Sequence, residues 1–251
     1  MVAHENRRFA DRVVIVTGAL GGIGSATARR FAREGARLVL VDLQAGELPE
    51  TGEHCAKLGA PSVLSLSCDV SDERQVGAVC EAAFRRFGRL DVVANIAGAM
   101  IYKKLEDLTG QDWMRVLGIN LMGSVYFTRD ALSRMTSGGS IVNVSSIHAF
   151  QTSPLVAPYA AAKAALLSLT RSTAIEGRAK GVRANAVLPG AIDTPMLHSS
   201  PNIQSGTEVL SPQNIGNPED IAAAIAFLAS EESAFVNGAC LCVDGGRLAA
   251  L

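Results

Sequence analysis

The sequence predicts an α/β protein with a doubly wound fold, a seven-stranded parallel sheet covered by helices on both faces, in one domain spanning residues 1–251. Three observations carry that expectation. Short β-branched runs without polar alternation, the mark of strands buried on both faces, recur between stretches of helical composition. A glycine-rich turn follows the first such run directly, where a phosphate-binding turn belongs. The chain is also long enough to bury a sizeable core, and its net charge of −1 leaves no basic excess for nucleic acid or an anionic membrane surface.

Val13–Val16 is the first strand, and Thr17 to Gly24 the glycine turn that opens a helix from Ser25 to Glu34, closed by Gly35. Glycines let a backbone approach a pyrophosphate, and a helix N-terminus presents free N–H groups and a positive dipole end. Leu38–Val41 is the second strand and ends on Asp42, where a carboxylate that grips ribose hydroxyls is expected. Either feature alone is ambiguous, since aspartate is also a common turn residue; together they point to a dinucleotide. A helix from about Pro49 to Leu58 leads to a third strand at Ser62–Leu66, and an amphipathic helix runs from Asp72 to Phe87 before Gly88. Asp91–Ala94 is the fourth strand. Gln111 to Met135 reads as one long helix, yet Gly118, Asn120 and Gly123 interrupt it at a cost of up to about 1 kcal/mol each. Such an asparagine could distort the helix and turn a polar group inward; alternatively, the small residues admit a neighbouring helix. Gly139–Ser145 is the fifth strand, a helix runs from Tyr159 to about Ala179, and Gly181–Leu188 is the sixth strand. Residues 195–217 form a long loop without periodicity, expected to be a mobile substrate lid. Pro218–Ala229 is a helix and Gly238–Val243 the seventh strand.

The five cysteines are odd in number and form no C-x-x-C, so a reduced cytoplasmic protein without a disulfide or a metal site is expected. The first residues lack a signal-peptide apolar region, and no apolar run approaches the length of a membrane span.

Chemistry concentrates between Ser146 and Lys163. Pro158 suits the first turn of a helix, which places Tyr159 and Lys163 at i and i+4 on one face. A free tyrosine titrates near about 10, and a neighbouring cation favours its phenolate, so the pair can serve as a general acid/base. Taken alone, the same spacing also describes a surface tyrosine near a solvated lysine.

Together these residues resemble the short-chain dehydrogenase/reductase family along essentially the whole chain. Thr17-Gly18-x-x-x-Gly22-x-Gly24 is similar to the family's cofactor turn. Asn95-Ile96-Ala97-Gly98 resembles its Asn-x-Ala-Gly segment, with Ile96 where a second asparagine is frequent. Asn120, Ser146, Tyr159 and Lys163 fall on the four catalytic positions, and Pro189-Gly190 with Ile192 and Thr194 on the nicotinamide segment. The resemblance implies a Rossmann fold and a cofactor held by Gly18, Leu20, Gly22, Ile23 and Gly24. Further along it implies contacts from Asp42, Leu43, Asp69, Val70, Asn95, Ala97 and Gly98, then from Tyr159, Lys163, Pro189, Gly190, Ile192 and Thr194. In the implied mechanism Tyr159 is the acid/base and Ser146 orients the substrate oxygen. Lys163 lowers the tyrosine pKa and holds the nicotinamide ribose, and Asn120 holds a relay water. Ser145 competes for the serine role, but neighbouring side chains on a strand face opposite ways, and the spacing to Tyr159 favours Ser146.

Asp42 points to NAD as the cofactor. A carboxylate about 5 Å from a 2′-phosphate costs several kcal/mol at an effective dielectric of about 20. The positions where phosphate-binding relatives carry a basic residue are Gly21 and Leu43 here, with Gln44 next. By analogy the substrate pocket takes Met100, His148, Phe150, Gln151, Val156, Ala191 and Met196, with His148 as a partner for a second substrate oxygen or a bland loop residue. A small cyclic alcohol, a diol or a polyol suits that set. A 3-oxoacyl carrier-protein reductase ranks second, because the stretch Met135-Thr136-Ser137-Gly138-Gly139 lacks the basic residues that dock an acidic carrier. A nucleotide-sensing pseudo-enzyme is the non-enzymatic alternative. The family also implies a homotetramer, and apolar residues around the helix at Ala161–Leu169 fit an interface as well as internal packing.

Overall fold

The protein is described by a computed structural model covering residues 7–135 and 138–250. The N-terminal stretch read for a signal peptide falls mostly outside the described residues, as do Thr136 and Ser137 of the uncharged helix end.

The elements in chain order are β1 (Val13–Thr17), α1 (Gly22–Arg33), β2 (Arg37–Asp42), α2 (Leu48–Leu58), β3 (Val63–Ser67), α3 (Glu73–Phe87) and β4 (Val92–Asn95). Next come α4 (Gly110–Leu117), a π turn at Gly118–Met122, α5 (Gly123–Arg134), β5 (Gly139–Val144), α6 (Ala157–Glu176) and β6 (Val182–Pro189). The last third holds β7 (Ala191–Ile192), α7 (Pro195–His198), α8 (Pro201–Gln204), β8 (Ile215–Gly216), α9 (Pro218–Ala229) and β9 (Cys240–Val243). Seven strands form one parallel sheet in the order β3-β2-β1-β4-β5-β6-β9. The direction of winding reverses between β1 and β4, and the crevice outside such a switch point is where ligands bind in open α/β sheets.

The uniformly apolar strands follow from burial on both faces. On one face Val14, Val16, Leu38 and Leu40 pack with Phe31 of α1 and with Ile221 and Ile225 of α9. On the other, Val13, Ile15, Val39 and Val41 pack with Val76 and Val79 of α3 and Phe127 of α5. Neighbouring residues alternate between the two cores, as the strand period of two requires. Helix ends follow local chemistry: Asp72 caps α3 by accepting from the N–H groups of Arg74 and Gln75, and Gly88 ends it at φ 72°.

The expected long helix from Gln111 to Met135 is interrupted. The π turn separates α4 from α5, and fully buried Asn120 sits inside it. A Cβ on Gly118 would lie 3.2 Å from Ser71 Cβ, and one on Gly123 would lie 3.0 Å from Val70 Cβ. The small residues therefore admit the loop after β3 rather than a neighbouring helix. Residues 195–217 likewise carry more structure than expected, namely α7, α8 and the β7–β8 pairing. Thr194 caps α7, with Pro195 in its first turn. Among the described residues no helix is long and apolar enough to cross a membrane.

Candidate active site

A cleft of about 630 Å³ opens at the C-terminal ends of the strands around the switch point. The turn after β1 and the loop after β4 meet there: a Cβ on Gly18, at φ +64°, would lie 2.9 Å from Ala97 Cα. A Cβ on Gly24 would fall 1.9 Å from Gly18 O, so no other residue fits between the turn and the start of α1. The N-cap of α1, Gly21, provides no side-chain hydrogen bond, leaving first-turn N–H groups directed at the cleft without a cap. At the end of β2, the Asp42 carboxylate accepts from Leu20 N at 3.0 Å and from Gln44 N at 3.4 Å, which ties it to the glycine turn. An uncapped helix terminus, a turn free of side chains and a carboxylate beside them suit a dinucleotide.

Along this half of the cleft lie Gly18, Leu20, Gly22, Ile23 and Gly24, then Asp42 and Leu43, all expected from the sequence. Asp69, Val70, Ala97 and Gly98 line its middle. Pro189, Gly190, Ile192 and Thr194 line it from β6 onward. Asn95 does not face it. Its side chain is 3% exposed and donates to Asn143 Oδ1 at 2.8 Å, in a buried chain that continues to Thr170 Oγ1. This side chain holds β4 against β5 and α6.

Ser146, Tyr159 and Lys163 meet in the other half. Ser145 Oγ donates to Lys163 O at 2.7 Å and so faces α6, whereas Ser146 turns to Tyr159 and hydrogen-bonds it. Lys163 is 3% exposed, donates from Nζ to Val144 O at 2.8 Å and lies 5.4 Å from the Tyr159 ring centroid. Burial pushes the Tyr159 phenol up to about 12, against the downward pull of the Ser146 hydrogen bond, and burial pushes the Lys163 ammonium down to about 8. Desolvation disfavours the charged form of each group, and for each it is the largest influence.

Asn120 donates from Nδ2 to Ala99 O at 2.8 Å and to Val116 O at 2.9 Å, which uses both amide hydrogens. Its Oδ1 accepts from Ala99 N at 3.4 Å and would lie 2.9 Å from a Cβ on Gly98. The same Cβ would stand 3.7 Å from Lys163 Nζ, so Gly98 is the point where asparagine and lysine converge. The side chain of Asn120 thus secures the loop after β4 to the π turn, and its hydrogens are not available to a relay water.

Of the expected substrate-pocket residues, Met100, His148, Val156, Ala191 and Met196 line the cleft. Phe150 is not among them and is 62% exposed. Gln151 lines an adjoining cavity of about 220 Å³ instead. Both positions follow the one-turn helix at Ile147–Ala149 and are exposed, whereas His148 within it lines both cavities. Sequence reasoning missed Tyr102, Ser153, Asn202, Glu208 and Arg247, all on the cleft wall. They come from segments far apart in the chain, and only Arg247, just after Asp244-Gly245-Gly246, carried a local signal. Among the described residues, no group of three His, Cys, Asp or Glu is placed to hold a metal ion. All five cysteines are free, and burial pushes Cys55 and Cys68 up to about 11 and Cys80 up to about 12, which leaves those three thiols unreactive.

The family described as enoyl-(acyl carrier protein) reductase matches residues 18–247. The chain is 42% identical to the cis-4-hydroxycyclohexanecarboxylate dehydrogenase of Sinomonas cyclohexanicum, over 96% of this chain and 98% of that one. It is 36% identical to the NADP-dependent (R)-specific alcohol dehydrogenase of Lentilactobacillus kefiri, over 96% and 98% of the two chains. The crystal structure of levodione reductase superposes with a TM-score of 0.89 at 35% identity, covering 97% of this chain and all of the other.

Proposed function

This chain belongs to the short-chain dehydrogenase/reductase family, and we propose that it is an NAD-dependent dehydrogenase that moves hydride between the nicotinamide and a secondary alcohol or ketone, a small cyclic alcohol, diol or polyol. The observation that carries this reading is the meeting of Ser146, Tyr159 and Lys163 in a cleft whose far end presents Asp42. The relative named for a hydroxylated cyclohexane ring supports a cyclic substrate. The family does not choose the cofactor, since one relative is NADP-dependent; Asp42, with exposed Leu43 and Gln44 beside it, supports NAD.

Asp42 would hold the adenosine ribose, the first turn of α1 the pyrophosphate, and Ile192 and Thr194 the nicotinamide end. When bound, the cofactor accepts the hydride of the carbinol carbon or returns it. Tyr159 Oη takes the hydroxyl proton in oxidation and gives it back in reduction. Ser146 Oγ accepts from His148 N at 3.2 Å, and its hydrogen, which favours the Tyr159 phenolate in the protein alone, would turn to the substrate oxygen as charge develops there. Lys163 is the one cation buried beside the phenol among the described residues and favours its ionised form. Because burial holds Tyr159 protonated up to about 12, oxidation should accelerate toward alkaline pH, while reduction uses the phenol as it stands. Three further readings accompany the activity: residues 195–217 act as a substrate lid, the protein assembles as a homotetramer, and it works in the cytoplasm, a reading its free thiols support.

Initial rates of oxidation of cyclohexanol and of 2,3-butanediol with NAD and NADP test the proposal. NAD is expected to give a kcat/KM higher by at least about tenfold, and Asp42→Ala to narrow that gap. Tyr159→Phe should lower turnover by roughly 10²–10⁴ with NAD affinity within a few-fold. A wild-type preference for NADP overturns the cofactor assignment, and near-normal turnover in the Phe variant removes Tyr159 from the mechanism.

A further inference from the structure

The catalytic end of the cleft is more polar than its apolar side chains alone suggest. Arg247 donates to the carboxylate of Glu208, and both side chains are largely buried, at 19% and 18% exposure. Ser153 Oγ donates to the other Glu208 oxygen at 3.4 Å. His148 stands beside them with Nδ1 buried and without a hydrogen-bond partner among the described residues. Its ring meets that of Tyr159 edge-on, with centroids 6.0 Å apart at 80°. These groups come from the loop after β5, the segment after α8 and the turn after β9. They form a wall common to the cleft and to the adjoining cavity of about 220 Å³.

We infer that His148, Glu208 and Arg247 form a second-oxygen subsite, which selects alcohols bearing a further uncharged oxygen, a hydroxyl or carbonyl, away from the reacting carbon. The inference rests on the dehydrogenase reading above and narrows its substrate. His148 lines both cavities, and its ring centroid stands 6.0 Å from that of Tyr159, so a substrate that reaches the phenol passes the imidazole as well. Burial keeps the imidazole below its usual range, so at neutral pH it offers one donor and one acceptor without a charge. The Arg247–Glu208 pair extends this pattern, because the guanidinium has donors beyond the one given to Glu208 and the carboxylate has lone pairs to spare. A hydroxyl finds both a donor and an acceptor on this wall, and a carbonyl finds donors.

Charge decides against an anionic substrate group. The wall carries one positive and one negative charge in contact. A carboxylate placed there is attracted by Arg247 and repelled by Glu208 to a similar extent, while its desolvation remains uncompensated. An uncharged oxygen has no such penalty.

The experiment compares cyclohexanol, the 1,2-, 1,3- and 1,4-cyclohexanediols and 4-hydroxycyclohexanecarboxylate as substrates of the wild-type enzyme and of Glu208→Gln. At least one diol should exceed cyclohexanol in wild-type kcat/KM by about tenfold or more, chiefly through KM. In Glu208→Gln the diol-to-cyclohexanol ratio should fall about fivefold, and the hydroxy acid should gain relative to the diols, because the repelling charge is gone. Equal use of cyclohexanol and all three diols overturns the subsite, and so does a wild-type preference for the hydroxy acid. The wild-type ranking needs no variant, so a misfolded Glu208→Gln does not protect the inference. Oxidation of none of the five with either NAD or NADP overturns the dehydrogenase reading itself, whereas oxidation without the predicted ranking overturns only the subsite.

Discussion

Lys163 shows how burial and function oppose each other at a single residue. Its ammonium is 3% exposed, has Val144 O as a hydrogen-bond acceptor, and is pushed down to about 8. In the unfolded chain the same group titrates near its ordinary value of 10.5. Below about pH 8 both states hold the proton and the folded state bears the full penalty of a buried charge. Between about 8 and 10.5 the unfolded chain retains a proton that the folded protein has lost, so this group makes stability rise with pH, by at most about 1.4 kcal/mol per unit. Tyr159 contributes the opposite slope, but only above 10, where the unfolded phenol ionises and the folded one does not. Lys163→Met should therefore lose the rise between pH 8 and 10 and be no less stable than wild type at pH 7. Urea denaturation of both proteins at pH 7, 8.5 and 10 checks this, and parallel profiles would exclude a buried lysine of depressed pKa.

Among the elements, the segment from α7 to β8 is the one whose behaviour bears most on turnover. It is tethered at separate points: Tyr102 donates to Met196 O at 3.4 Å, Asn202 to Pro154 O at 2.9 Å, and Glu208 pairs with Arg247. Two of its helices have one turn each, and Val209 is 85% exposed, so few apolar contacts oppose opening. As a lid, it should exchange its amides quickly in the protein alone and gain protection with NAD, most strongly near Met196 at the cleft. Equal exchange with and without NAD and a substrate analogue would leave the segment without a gating role. The α4–α5 interruption is the contrasting case, an irregularity locked by three hydrogen bonds of Asn120 rather than left loose.

At the scale of the whole molecule, the sheet is covered on both faces, yet α6 is not fully covered. Tyr159, Lys163, Leu166 and Leu167 face inward, while Ala161, Ala164, Ala165 and Ser168 are exposed in the single chain, as is Ile175 at 76%. Internal packing therefore does not account for all the apolar positions of this helix. Small side chains permit close approach of another helix, and a second copy of the chain would bury them. Light scattering at micromolar concentration should give the mass of four chains, and a monomer there would exclude the assembly.

The sequence by itself determined what local pattern and short spacing encode. The order of strands and helices was legible in alternating buried runs, and the cofactor turn in Gly18, Gly22 and Gly24 followed by Asp42. Tyr159 and Lys163 were legible as an i, i+4 pair, and the choice of Ser146 over Ser145 as a matter of strand alternation. What the tertiary structure decided is whatever depends on contacts between distant segments. The family resemblance points Asn95 toward the cofactor, but only the fold shows that Asn143, on the neighbouring strand, takes the hydrogen bond of its side chain. Analogy places Phe150 and Gln151 in the substrate pocket, but in the fold Phe150 is 62% exposed and Gln151 lines the adjoining cavity. Glu208 and Arg247 have no periodic or motif signal that links them, and only the fold brings them against His148. The direction of the Tyr159 shift was likewise beyond the sequence, because spacing reports that a cation is near but burial sets the cost of charge, and burial belongs to the folded whole.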